Sequence, residues 1–250
     1  MKFLRNILFS PLTVIRLIVV LFMSAYVTTV GWFWLRLFGF STRLQRWAMH
    51  TWGKSIVFCL GIKIKRNELP KSNNFILMPN HRSYLDIFIV AALTPSAMVG
   101  KAEIKKWPFG KLGARITNSI LVDRKNTQSL LNTMQKIKES VKQEIPVTLF
   151  PEGTTYEGPL TKDFKNGSFK IAEETAIPVI PMAIDFEDKA DAWIGDDTFV
   201  GHFFRQMGKL QTRVTITYGN PISDTDYKSL QEKTKSRINA MLTEIQENKL

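Results

Sequence analysis

The stretch Phe75-Ile76-Leu77-Met78-Pro79-Asn80-His81-Arg82-Ser83-Tyr84-Leu85-Asp86 decides how the chain is read. Its first five residues are a short apolar run with sharp polar bounds, the pattern of a buried strand. After Asp86, the run Ile87-Phe88-Ile89-Val90-Ala91-Ala92-Leu93 has the pattern of a buried helix. Asn80 to Asp86 therefore falls on a strand-to-helix turn, where α/β folds present reactive side chains. His81 stands at the turn and Asp86 in the first helical turn. A carboxylate there can bend back onto one imidazole nitrogen and leave the other facing a cleft. Imidazole takes up a proton near neutral pH. An adjacent carboxylate fixes its tautomer and stabilises the imidazolium once the proton has moved.

These residues also have a purely structural reading. Ser83-x-x-Asp86 is a helix capping box, and an Asp in a first turn complements the helix dipole. A second stretch, Leu149-Phe150-Pro151-Glu152-Gly153-Thr154-Thr155, tips the reading toward chemistry. Its glycine lets a backbone approach a ligand closely.

Taken together, Asn-His-x-Ser-x-x-Asp at 80–86 and Phe-Pro-Glu-Gly-Thr at 150–154 resemble the glycerolipid acyltransferase family. Two weaker blocks appear in order: the apolar strand ending in Asp123-Arg124, and Ile177-Pro178-Val179-Ile180-Pro181. The resemblance runs over residues 55–220. It implies that His81, oriented by Asp86, takes the proton from a lipid hydroxyl, which attacks an acyl thioester directly. Neither a metal nor another cofactor is implied; the thioester of coenzyme A or acyl carrier protein is a co-substrate. The resemblance also implies a substrate site made of Asn80, Ser83, Arg124, Glu152, Gly153 and Thr154, with Arg124 on the acceptor's phosphate. An arginine fork suits that role, while an ion pair with Asp123 is the plainer reading. The family carries Arg where this chain has Thr155, and Lys165 matches the family's downstream basic position. The expected acceptor is thus a lysophospholipid, 1-acylglycerol 3-phosphate, giving phosphatidate. Thr155 keeps open a lyso-aminolipid acceptor of the ornithine or glycine type. A lipid ester hydrolase is a rival of another class, but it lacks the Gly-x-Ser-x-Gly elbow.

Charge is unevenly spread. The chain of 250 residues carries a net charge of +12. Residues 1–67 hold Lys2, Arg5, Arg16, Arg36, Arg43, Arg46, Lys54, Lys63, Lys65 and Arg66 and no acidic residue. Long apolar runs separate these cations, which argues for a membrane surface rather than nucleic acid. Leu17 to Leu35 contains no charge and is about the length that crosses a bilayer core of roughly 30 Å. Basic residues flank it on both sides, which suits a span and a helix lying in one leaflet equally. The single cysteine, Cys59, excludes an internal disulfide and sits in an apolar run that reads as core.

Along the chain, 41–60 reads as an amphipathic helix with Leu44, Trp47, Ile56 and Phe58 on its apolar face. Strands are expected at 62–66, 75–79, 97–101, 120–122, 147–150, 177–184 and 212–218. Helices are expected at 127–143, with Leu130, Leu131, Met134, Ile137 and Val141 inward, and at 224–248. The span 185–211 reads as irregular. Lys101, Lys105, Lys106 and Lys111 surround Trp107-Pro108-Phe109-Gly110, either as a solvated turn or as a basic aromatic rim. The expected architecture is one α/β acyltransferase domain at 55–250, with a mainly parallel or mixed sheet of about seven strands and helices on both faces. Residues 1–54 precede it as membrane-associated helices, and the catalytic domain is expected on the cytoplasmic face.

Overall fold

The computed structural model describes residues 11–72, 74–123, 125–195 and 197–248. Seven strands form one sheet: β1 (Ile62–Arg66), β2 (Ile76–Pro79), β3 (Ala97–Lys101), β4 (Ile120–Val122), β5 (Val147–Thr148), β6 (Val179–Phe186) and β7 (Thr212–Tyr218). Their order is β1-β7-β6-β2-β5-β3-β4. Five strands from β6 to β4 are parallel, while β7 runs antiparallel to β6 and carries β1 parallel to itself. The sheet is therefore mixed.

Side-chain alternation assigns the faces. Ile76 and Met78 of β2 join one core cluster and Leu77 the other. On β6, Val179 and Ala183 face the first cluster, while Ile180, Met182, Ile184 and Phe186 face the second. Strands buried on both faces lose the apolar–polar alternation and become continuous apolar runs. β7, beside the edge, keeps a strict buried–exposed alternation in its first three residues.

Helices cover both faces. One side carries α2 (Thr42–Cys59), α3 (Leu85–Leu93) and α7 (Phe199–Gly208); the other carries α5 (Thr127–Lys142), α6 (Asn166–Thr175) and α8 (Tyr227–Glu247). α4 (Gly110–Ile116) follows a 3-10 turn, Ala102–Lys106. α1 (Pro11–Phe38) is long and apolar enough to cross a membrane by length and composition. It is nevertheless fastened to the body. Arg16, 7% exposed, donates to the carbonyls of Met207 (3.1 Å), Lys209 and Leu210 (3.2 Å) at the end of α7. Farther along, Gly31 leaves room for the Ile116 side chain of α4, and Trp52 of α2 donates its indole N–H to Ser24 (3.1 Å). α2 runs continuously through residue 54, and Gly53 lets its backbone lie against Ala91 and Ala92 of α3.

Several local expectations change. Phe58 is 87% exposed, because α2 turns Leu44, Ala48, Met49 and Ile56 inward instead. Leu130 and Leu131 are exposed; α5 rests on Thr133, Ile137, Ser140 and Val141. Cys59 is only half-buried, its Sγ 3.7 Å from the Arg16 carbonyl. The strand at 147–150 is confined to two residues, since Leu149 already leads into the turn. The span 185–211 is not irregular throughout: it contains a 3-10 turn, Lys189–Asp191, and α7, capped by the Thr198 hydroxyl.

Candidate active site

Three parallel strands deliver the motif residues to one edge of the sheet. β2 ends at Pro79 before His81, β5 ends at Thr148 before Glu152, and β4 ends at Val122 before Asp123. The C-terminal ends of parallel strands form the crevice where open α/β sheets hold ligands.

His81 Nδ1 lies 2.8 Å from Asp86 Oδ2. The same oxygen accepts the backbone N–H of Arg82 (2.7 Å) and of Ser83 (2.9 Å). Two backbone N–H groups already point at that oxygen, so the tautomer that suits the short contact carries its proton on Nδ1 and leaves the Nε2 lone pair free to accept. Asp86 is fully buried, whereas the His81 side chain is 16% exposed. The Phe150 ring stacks on the imidazole at 4.1 Å and fixes its plane.

The capping box is half formed. Asp86 reaches back to the Ser83 N–H, but the Ser83 hydroxyl is buried with no hydrogen-bond partner among the described residues. Asn80 is equally buried. Its amide donates to Ile184 O (2.9 Å) and accepts from Ile184 N (2.7 Å), pinning the start of the turn to β6.

Glu152 is 2% exposed and bridges the two motifs. Its Oε1 accepts from His81 N and its Oε2 from Lys162 N, both at 2.9 Å. Burial pushes its carboxyl above the usual carboxylate range, opposed by those two N–H donors and by the nearby Arg82 and His81. Gly153 has φ +72°, a left-handed conformation that glycine adopts without strain. Thr154 is exposed, Thr155 half-buried, and the exposed Lys165 donates its backbone N–H to Pro151 (2.8 Å) at the start of α6. Arg124 lies outside the described residues.

Sequence reasoning passed over Arg82, the variable position of the first motif. It is 3% exposed. Its guanidinium donates to the carbonyls of Tyr156 (2.9 Å), Gly158 (2.6 Å) and Pro159 (3.3 Å), and its Nε lies 3.7 Å from Asp185. Tyr156 N in turn donates to His81 O at 2.9 Å. Both backbone polar groups of His81 are thus held by the loop after β5, and Arg82 ties that loop down. The backbone N–H groups of this turn are not free to hold an oxyanion. His81 N is committed to Glu152, and Arg82 N and Ser83 N to Asp86.

Beside the turn, Tyr84 packs among Phe88, Trp193, Phe199 and Phe203, and its hydroxyl lies 3.0 Å from Nδ1 of the buried His202. Burial pushes the Tyr84 phenol up and the His202 imidazole down; Arg205 adds to the latter and Asp197 opposes it.

With this geometry established, comparison with known proteins is informative. The acyltransferase family model matches residues 61–185, which contain both motifs. A lyso-ornithine lipid O-acyltransferase of Rhizobium meliloti is 26% identical, covering 80% of this chain and 76% of that protein. A 1-acyl-sn-glycerol-3-phosphate acyltransferase of Cocos nucifera is 28% identical over 87% of this chain and 70% of that protein. The crystal structure of the 1-acyl-sn-glycerophosphate acyltransferase of Thermotoga maritima superposes with a TM-score of 0.74 at 20% identity, over 98% of both chains.

Proposed function

The chain belongs to the acyltransferase family, and from that premise we propose that it moves a fatty acyl group from a thioester to the free hydroxyl of a lysophospholipid. The observation that carries this is the 2.8 Å His81–Asp86 pair, with the other imidazole nitrogen left for the crevice. Nε2 takes the proton as the acceptor oxygen attacks the thioester carbonyl, and the carbon–sulfur bond breaks from the tetrahedral adduct. The imidazolium, stabilised by Asp86, then returns the proton to the leaving thiolate. The reaction needs no acyl-enzyme and, beyond the thioester of coenzyme A or acyl carrier protein, no cofactor.

The favoured acceptor is 1-acylglycerol 3-phosphate, giving phosphatidate. Support comes from the Cocos nucifera relative and from the Asp123-Arg124 pair in the sequence. Thr155 and the Rhizobium meliloti relative favour a second acceptor, a lyso-ornithine lipid, whose headgroup carries no phosphate. The same reading puts the crevice on the cytoplasmic face of the membrane.

The test is acyl transfer from labelled acyl-coenzyme A and from acyl carrier protein to each acceptor, with wild type and His81→Ala. Loss of the general base lowers the rate by about 10²–10⁴-fold. Product from the phosphate acceptor alone supports phosphatidate synthesis, and product from the lyso-ornithine lipid alone assigns the second acceptor. Wild-type rates from His81→Ala would overturn the mechanism.

A further inference from the structure

The loop Trp107-Pro108-Phe109-Gly110 joins the 3-10 turn to α4 in a conformation that costs energy. Phe109 has φ +65°, the left-handed region, which bulky residues rarely occupy. Gly110 fills the next position, where a Cβ would collide with the Ile104 carbonyl. This tight turn buries neither ring: Trp107 is 53% exposed and Phe109 42%. Exposed aromatics on a strained turn point to something outside the chain that covers them.

What covers them follows from the neighbours. Trp107 packs 5.3 Å from Phe199, the first residue of α7, where Val200 is 61% exposed. α7 and α4 are two of the elements against which the apolar α1 is fastened, through Arg16 at one end and Gly31 at the other. α1 itself shows Phe22, Trp32 and Phe33 to the outside. Lys105, Lys106 and Lys111 flank the turn on both sides. Aromatic tips rimmed by lysine suit the headgroup layer of an anionic bilayer, where the rings sit at the acyl boundary and the ammonium groups meet phosphate.

We propose that the Trp107–Phe109 turn, with Val200, is a lipid contact made by the catalytic body itself, distinct from that of α1. This rests on the acyltransferase reading. Packed rings join the turn to the motif that carries His81, from Trp107 to Phe199 and from Phe199 to the buried Tyr84 at 5.1 Å.

The experiment compares the full chain with Trp107→Ser/Phe109→Ser on two forms of one acceptor headgroup. One form is long-chained and embedded in phosphatidylglycerol-containing vesicles; the other is short-chained and monomeric in solution. We expect transfer from vesicles to fall about tenfold or more, as loss of two partitioning aromatics implies, with transfer to the monomeric acceptor unchanged. An equal fall on both would place the turn in the active site or in folding, and no fall on either would leave it without a role; each overturns the proposal. Depth is read independently of activity from quenching of tryptophan fluorescence by lipids brominated along the acyl chain, comparing wild type with Trp107→Phe. A quenched Trp107 component supports the contact even if neither acceptor reacts, whereas an unquenched one overturns it even if both do.

Discussion

Asp86 makes the active-site turn and the catalytic pair from the same oxygen. Asp86→Asn keeps the size but removes the charge that holds three donors, so transfer falls by about 10²–10⁴-fold in the same thioester assay while the fold is kept. Arg82 makes a different contribution. Arg82→Met removes the donors from three loop carbonyls and leaves Asp185 without its guanidinium neighbour. A loss of about 3 kcal/mol is expected in urea unfolding. Because a lysine ammonium cannot span those carbonyls as a planar fork does, Arg82→Lys should recover little of it; full recovery would refute the clamp. His81 and Asp86 were legible because they meet within one turn, at a spacing visible in the chain. Arg82 was not, because its partners are carbonyls at 156–159, and a carbonyl leaves no trace in residue type.

His202 gives a pH-dependent test at the same scale. Its folded pKa is depressed by burial, so the unfolded chain binds the proton more readily. Stability is full above the unfolded value of about 6.5 and declines as pH falls toward the folded value, with no further loss below it. His202→Gln should flatten that slope in thermal melts between about pH 7 and 5. An unchanged slope would assign it to other groups.

Among the elements, α2 and α3 meet backbone to backbone at Gly53. Gly53→Ala gains about 1 kcal/mol of helix propensity but forces a methyl into the backbone at Ala91 and Ala92, costing about 1–3 kcal/mol. A lower melting temperature is expected; an unchanged or higher one would mean that the helices part freely. Strands with continuous apolar runs and long periodic helices were legible to within a few residues. α7 was hidden because ten residues after an acidic stretch offer little period, and its fixed points are the Thr198 cap and the carbonyl contacts of Arg16. β5 was over-read because the residues after Thr148 are apolar for the sake of the turn: Phe150 stacks on His81 instead of pairing in the sheet.

For the whole molecule, the uneven charge and the apolar α1 make different predictions about vesicles. Raising salt from 0.1 to 1 M shortens the Debye length from about 10 to about 3 Å. Binding to anionic vesicles in co-sedimentation should therefore weaken but persist through α1 and the Trp107 turn. Complete release by salt would show that only charge holds the chain to lipid.

The contact between Arg16 and the end of α7 also has a consequence in time. Its first carbonyl partner is 191 residues later in the chain. At about 5–20 residues per second, a ribosome needs roughly 10–40 s to supply it. Throughout that interval Arg16, which stands just before the uncharged run Leu17 to Leu35, is held by water or by headgroup phosphate and not by carbonyls. The order of synthesis thus makes the fastening of α1 to α7 a late event, completed only when most of the sheet has been made.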